Sequence, residues 1–503
     1  MAGLAELAAR VDAVIERRRE LYLNLVAGLL RFKTVSGSLD VDRQQRFDEQ
    51  RKRCLDYLRL EAERLGLDFR SYADRAAVAE LPAPAGEAFG IATHIDVVPA
   101  DGSWTHPPFA GAVVDGEIWG RGTQDDKGPA AMAFSALDVL LQLGLEPRRP
   151  VRLLFGTEEE TPRWDDLSLL IDAGEVPATV LVPDGRYPII NGEKGLAIVE
   201  WRARWPARPP SPAPGLRLEK LVAGQRHNMV PRLARMVLAT HTSHARTMAR
   251  DLAQAALELE RNVPGADVSV GDPRIEGDSA RFEVDCRGVG VHGSHPERGH
   301  NAALDALALL ETVLDAPAGL LELIALLRRA CGALDGAGVD LQTDHPQLGG
   351  TSINLGVLEI EPDAGRAEID IRFPVDLAKH EVVARMGAVA GAAAEGAELS
   401  LVSREIGTGH EALYTSPEEH PELLGTLVEV YEAALGRRPS FDTLAGTTYA
   451  KAFPVAVVMG PVDEPGGEVD RTHQPDERVA VQRHLDNIKL YAMTTAVLAF
   501  GQR

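Results

Sequence analysis

FGIATHIDVVP, residues 89–99, is an apolar run that ends in two polar side chains and a proline. Its first part reads as a strand with both faces buried, and its last part as the loop leaving the sheet. Side chains two apart on a strand point the same way, so His94 and Asp96 face one place. Asp96 can there hold the His94 imidazole from behind, the usual support of a metal-binding histidine. The same design recurs. PVRLLFGTEEE (150–160) is a strand ending in Glu158, Glu159 and Glu160, and ATVLVPDG (178–185) is an apolar run followed by a turn that carries Asp184. Between the first two, 128–143 reads as a helix with Gly128 and Pro129 in its first turn, where proline fits. Strands alternating with helices predict an α/β sheet. Polar residues just beyond the apolar runs lie where such sheets bind ligands.

Outward from this centre, 1–35 and 44–66 read as amphipathic helices, with apolar residues every three or four positions. WPARPPSPAPG (205–215) is too rich in proline for a helix and reads as an extended surface loop near a domain junction. Beyond it, helical patterns cover 243–260 and 301–331, and strand-like runs cover 279–289, 351–360, 366–375 and 397–404. After about 405 the chain returns to a helix (420–435) and the apolar strand FPVAVVMGP (453–461). A chain of 503 residues exceeds what one hydrophobic core usually serves. The expected architecture is one domain from 1–196 and 406–503, a mixed sheet flanked by helices, interrupted by an inserted α+β domain from 197–405.

Fifty-three basic against 75 acidic residues give a formal net charge of -22. Such a surface repels polyanions, so neither nucleic acid nor an anionic membrane is expected as a partner. The three cysteines, Cys54, Cys286 and Cys331, are odd in number and far apart, which indicates neither a disulfide framework nor a cysteine-rich metal site. The amino-terminal segment lacks the basic start, apolar core and cleavage site of a signal peptide, and no long uncharged apolar stretch occurs. A cytoplasmic location is the expectation.

Two further segments carry chemistry: WGRGTQDDKGP (119–129), with Asp125 and Asp126, and THQPDE (472–477), with His473. Each has an ordinary explanation when taken singly. A lone histidine is more often structural than a ligand, an aspartate pair is usually solvated or a helix cap, a glutamate triplet is usually a solvated face, and Asp-Gly is most simply a turn. Their order is what argues otherwise: His-x-Asp, then Gly-x-Gly-x-x-Asp-Asp-Lys-Gly, then Glu-Glu, then Asp, then a late His.

That order resembles the co-catalytic zinc peptidases that include aminoacylase, the glutamate-releasing carboxypeptidases, succinyl-diaminopimelate desuccinylase and carnosinase. GRGTQDDKGP, FGTEEE and PDGRYPIINGEKG (183–195) resemble the dipeptidase V branch more closely still. The motifs extend over about 90–475. The resemblance implies two divalent metal ions, zinc above all, with manganese or cobalt as alternatives. It implies that His94 and Asp184 bind one ion, Glu160 and His473 the other, and that Asp125 bridges them, the Asp125–Asp126 bond being cis. Aligning GTEEE with the family's Gly-Thr-Asp-Glu-Glu makes Glu159 the general base and leaves Glu158 a non-ligand. Thr161-Pro162 departs from the Ser-Gly or Thr-Gly common in the family.

In the middle region, GVGVHGSHPERGHNA (288–302) resembles the family's lid motif and makes His292 the donor to the oxyanion of the attacked carbonyl. GQRHNMVP (224–231) nominates Asn228, and EIDIRFPV (368–375) nominates Arg372, whose planar fork suits a substrate carboxylate. LAGTTYA (444–450) resembles the family's Gly-rich carboxylate-binding turn, with Leu444 and Ala445 replacing its first glycines and Gly446 and Thr447 retained. The implied activity is a metal-dependent dipeptidase acting on short unblocked peptides, β-alanyl dipeptides among them. An N-acyl-amino-acid deacylase or desuccinylase on the same metal core is the alternative, and a silent metal-bound binding protein or a two-metal phosphoesterase is more remote. A monomer is favoured over a homodimer, because a lid of this length can supply its own histidine.

Overall fold

The computed structural model describes residues 2–36, 41–161, 163–207 and 214–502. The proline-rich loop expected around 205–215 falls largely outside the described residues, as does Pro162. The chain forms two compact units, one from Met1–Gly192 and Leu413–Arg503, the other from Glu193–Ala412. The sequence-based boundaries at 196/197 and 405/406 fall a few residues inside the second unit.

The first unit is built on a mixed sheet. Its strands lie in the order Asp68–Tyr72, Ala76–Leu81, Val151–Gly156, Phe89–His94, Thr179–Val182, Ala456–Val458, Ile189–Glu193 and Leu413–Tyr414, and Phe441–Leu444 also pairs with Ile189–Glu193. The four central strands, from Val151–Gly156 to Ala456–Val458, are parallel; Ala76–Leu81 pairs antiparallel with both its neighbours, and Ile189–Glu193 pairs antiparallel with Ala456–Val458. The central runs are apolar throughout because both faces are covered. Phe89, Ile91, Val151, Leu153, Phe155 and Leu181 enter a core made with the helices Ala2–Leu29, Lys127–Gln142, Pro421–Leu435 and Val481–Phe500. Their neighbours of the opposite parity, Ala92, Leu154, Val180 and Val182, enter a second core with Trp164 and Tyr449.

The second unit has an antiparallel sheet in the order Asp267–Val270, Ser279–Arg287, Leu233–His241, Arg217–Ala223, Ser352–Ile360, Ala364–Phe373, Gly195–Arg204 and Ser400–Glu405. Ala197, Val199, Trp201 and Ala203 alternate along one strand and share a core with Leu252, Leu307, Leu327 and Met386 of the helices Ala245–Asn262, Ala302–Val313, Ala318–Gly332 and Lys379–Ala394. This is an α+β unit. The helical pattern of 301–331 is divided into two helices, because Pro317 starts a new helix rather than continuing the old one. Lys379–Ala394 is a helix that the sequence reading did not name. The three cysteines are buried and free, and no helix among the described residues is long and apolar enough to cross a membrane.

Candidate metal centre

His94 is the last residue of its strand, and the parallel neighbours end beside it, so the loops carrying Glu158–Glu160 and Asp184 leave the sheet along the same edge. The carboxyl edge of a parallel sheet is where ligands collect in such folds. Two groups of potential donors form there: His94, Glu159 and Asp184, and Asp125, Glu160 and His473, with donor atoms in each lying within 4.8 Å of one another. Asp125 joins the groups. Its Oδ1 is 3.0 Å from His94 Nε2, and its Oδ2 is 3.0 Å from His473 Nε2. His473 Nε2 is also 3.1 Å from Glu160 Oε1, and His94 Nε2 is 3.8 Å from Asp184 Oδ2. The Asp125–Asp126 peptide is cis.

The histidine at the strand end is oriented as a metal ligand would need to be. The backbone carbonyl of Asp96 lies 3.0 Å from His94 Nδ1 and the Asp96 carboxylate 3.2 Å from it. Acceptors on that side put the ring hydrogen on Nδ1 and leave the Nε2 lone pair pointing at the carboxylates. Nε2 is buried and makes no hydrogen bond despite its closeness to Asp125. An orphaned imidazole lone pair beside several carboxylates, with nitrogen and oxygen donors and no thiol, fits a divalent cation of the zinc class. The buried Asp126 carboxyl holds the backbone at this strand end by accepting the main-chain N–H of His94 at 3.1 Å.

Asp96 does more than the sequence reading assigned to it. Its Oδ1 accepts the N–H of Glu159 at 3.2 Å, and its Oδ2 accepts the N–H of Glu160 at 3.0 Å. One carboxylate thus orients an imidazole and holds the loop bearing the two glutamates. The start of that loop is held by Asp166, which accepts the N–H groups of Thr157 (2.6 Å) and Glu158 (3.1 Å) and the hydroxyl of Tyr449. Glu158 turns away to an ion pair with Arg75, which separates it from its two neighbours.

Electrostatics follows from crowding. Burial, then the Asp184 carboxylate, pushes Glu159 well above the usual carboxylate range. Burial, then Asp125, raises Glu160. For Asp125, burial is outweighed by the hydrogen bond to His473 and by the nearby His94 imidazole, which together hold it below its ordinary value. His473, hydrogen-bonded to Asp125 and Glu160, is pushed up to about 11. These are the responses of the protein groups alone, and the excess of carboxylates over imidazoles is what bound cations would neutralise.

Tyr449, Asp166 and Glu477 escaped the sequence reading. Tyr449 and Glu477 lay in quoted motifs, TTYA and THQPDE, but as hydrogen-bonding residues without a ligand's signature. Tyr449 packs its ring edge-on against His94 at 6.1 Å and Trp164 at 5.2 Å. The Gly446–Thr447 turn lies just before it, and Lys451 Nζ donates to the Gly446 carbonyl at 3.2 Å and to the Thr447 hydroxyl at 2.8 Å.

In the second unit, Asn228, His292 and Arg372 are brought together. Met229 bridges His292, and the Gly293 N–H donates to the Asn228 carbonyl at 2.7 Å. The Asn354 side chain holds the carbonyls of His227 and Met229 at 2.8 and 3.1 Å, and Asn354 lies opposite Asp370 in the sheet. The Asp370 carboxylate takes two hydrogen bonds from the Arg372 guanidinium, at 2.7 and 3.0 Å. The Ser294 N–H donates to His292 Nδ1 at 3.2 Å, so the ring hydrogen sits on Nε2, the atom that can donate outward. Partial loss of hydration, then the Arg372 charge, lowers the His292 pKa. His295 and His300 turn to other partners, Glu297 and Asp305.

The profile of Peptidase family M20/M25/M40 matches residues 90–496. The chain belongs to this peptidase family. As a member of Peptidase family M20/M25/M40 it is a metal-dependent hydrolase. It is 29% identical over 412 residues to the putative dipeptidase YtjP of Bacillus subtilis, covering 82% of each chain. It is 27% identical over 438 residues to the Beta-Ala-Xaa dipeptidase of Lactobacillus delbrueckii subsp. lactis, covering 86% of each. The aminoacylhistidine dipeptidase of Vibrio alginolyticus shares its fold, with a TM-score of 0.56 at 17% identity over 94% of this chain and 96% of that one.

Proposed function

We propose that this member of Peptidase family M20/M25/M40 is a dipeptidase that hydrolyses the peptide bond of short, unblocked peptides, β-alanyl dipeptides included, with two zinc ions. One observation carries the reading: the two donor groups share Asp125, each of whose oxygens lies 3.0 Å from a different histidine. Relatives named as dipeptidases, matched over more than four-fifths of their length, support the substrate class.

In this reading His94 and Asp184 would hold one ion and Glu160 and His473 the other, with Asp125 shared between them. Bound there, two such ions polarise a scissile carbonyl and acidify water. Glu159 takes the proton of the attacking water and delivers it to the departing amine. Its raised affinity for a proton, caused by burial and then by Asp184, suits that shuttle. His292 donates from Nε2 to the oxygen on which charge develops. Arg372, pre-set by Asp370, takes the carboxylate of the departing amino acid, with Asn228 and the Gly446–Thr447 turn as further polar contacts.

The test is a substrate panel run on enzyme stripped by a chelator and reloaded with zinc, manganese or cobalt. Activity should vanish on stripping and return on reloading. Unblocked dipeptides should be cleaved faster than tetrapeptides, C-terminal amides, or N-acetyl and N-succinyl amino acids. Faster cleavage of the N-acylated compounds would replace the dipeptidase reading with a deacylase on the same centre.

A further inference from the structure

The loops that carry Asp125 and His473 are 348 positions apart in sequence yet clasp each other reciprocally. From one side, the carboxylate of Glu477, fully buried, reaches the loop before Asp125. Its Oε1 accepts the N–H groups of Gln124 at 2.8 Å, Gly122 at 3.1 Å and Asp125 at 3.3 Å. Its Oε2 accepts Arg121 Nη1 at 2.6 Å. From the other side, the Gln124 amide accepts the N–H of Arg471 at 2.8 Å and donates to the carbonyl of Val469 at 3.2 Å. The clasp continues outward: Asp476 accepts the N–H and hydroxyl of Thr105, both at 2.7 Å, and Arg478–Ala480 pairs antiparallel with Glu117–Trp119.

Placing a carboxylate in the interior beside a second one is unfavourable unless hydrogen bonds and a counter-charge offset it. Here Arg121 is the counter-charge, itself held by the Pro99 carbonyl and the face of Trp104. The three accepted N–H groups include that of Asp125, so a shift of the Glu477 carboxylate shifts the backbone of Asp125 directly. Glu477 also lies in the loop of His473, which adopts a left-handed φ of 61° that its surroundings must impose.

We infer that Glu477 is a positioning residue for the metal centre, fixing the registry between Asp125 and His473. The inference rests on the two-metal reading of these ligands. Glu477→Gln would keep the shape, but whichever way the amide turned its NH2 would face donors, either Arg121 Nη1 and the Gly122 N–H or the N–H groups of Gly122, Gln124 and Asp125, and Glu477→Asp would keep the charge but withdraw it by one methylene.

The experiment measures zinc affinity of the full chain by competition with a chromophoric chelator, together with the visible spectrum of the cobalt-loaded protein and the melting temperature of the metal-free protein. Glu477→Gln should bind one equivalent of zinc as the parent does. The second equivalent should bind about 10–100-fold more weakly, the usual cost of losing support behind a ligand, and the cobalt bands should change. Glu477→Asp should fall between parent and glutamine variant, and it carries the same readouts if the glutamine variant does not fold. A folded variant that only melts earlier, with both affinities and the cobalt spectrum unchanged, would make Glu477 a staple of the fold and overturn the inference. A parent protein that binds fewer than two equivalents would instead remove the two-metal reading.

Discussion

Replacing Asp96 with asparagine removes one charge and exchanges one acceptor for a donor in a fully buried position. Both carboxylate oxygens are occupied: one by the N–H of Glu159 at 3.2 Å and the imidazole of His94 at 3.2 Å, the other by the N–H of Glu160 at 3.0 Å. An asparagine can accept from only one of the two backbone donors, and its NH2 faces the other. A hydrogen bond to a charged group contributes about 1.5–3 kcal/mol, and leaving a buried donor unsatisfied costs about 1–3 kcal/mol. Allowing for relaxation of the loop, about 2–4 kcal/mol falls on the position of Glu159 and Glu160, which converts to about 30–1000-fold in an equilibrium or a rate. Asp96→Asn should therefore lower kcat/KM for a good dipeptide within that range, and lower zinc affinity at the same time because Glu160 moves with the loop. The assays are steady-state kinetics at saturating zinc and chelator competition for the metal. Changes under about threefold in both, in a protein that keeps its melting temperature, would show that the loop holds its glutamates without Asp96.

Glu159→Gln should keep both zinc equivalents and lose about 10²–10⁴ in turnover, whereas Glu160→Gln should lose zinc; elemental analysis beside kinetics checks the assignment, and the reverse pattern would shift it by one residue. Arg372→Lys keeps the charge but not the fork paired with Asp370, so KM for unblocked dipeptides should rise about tenfold with kcat nearly unchanged, and the preference over C-terminal amides should shrink. Gly156→Ala would put a methyl 2.2 Å from the Tyr449 hydroxyl. It should destabilise the protein by about 1–3 kcal/mol in denaturant titration, and an unchanged midpoint would mean that Tyr449 moves freely. His484 is buried on the Val481–Phe500 helix, and burial pushes its pKa down to about 4. As pH falls from about 6.5 to about 4 the unfolded chain takes up a proton that the folded one refuses, so stability drops by about 3 kcal/mol across that window. His484→Leu should flatten that part of the melting-temperature profile relative to the parent in the same buffers.

The candidate ligands were legible in the sequence through the order of their motifs and its resemblance to a known family, since each motif taken singly has an ordinary explanation. In a parallel sheet the ends of apolar runs share one edge, which gathers His94, the Glu158–Glu160 segment and Asp184; which glutamate is the candidate ligand and which the candidate base came from the family resemblance. Asp125 and His473 came from the order of motifs rather than from any local pattern. Helix limits were less legible: the pattern over 301–331 concealed a break at Pro317, and periodicity missed the weakly amphipathic, alanine-rich helix Lys379–Ala394.

Only the tertiary structure decided how those ligands are held. The acceptor for the N–H groups of Gly122, Gln124 and Asp125 is Glu477, 353 positions beyond Gln124, and that for Glu159 and Glu160 is Asp96. Composition and spacing describe side chains, whereas these bonds end on backbone N–H groups whose directions depend on loop conformation. A buried carboxylate that binds backbone looks, in sequence, like any other acidic residue. The sequence therefore determined which side chains meet at the sheet edge. The packing of distant loops against one another determined the distances at which they meet, because loop geometry is set by the polar groups that each buried loop must satisfy.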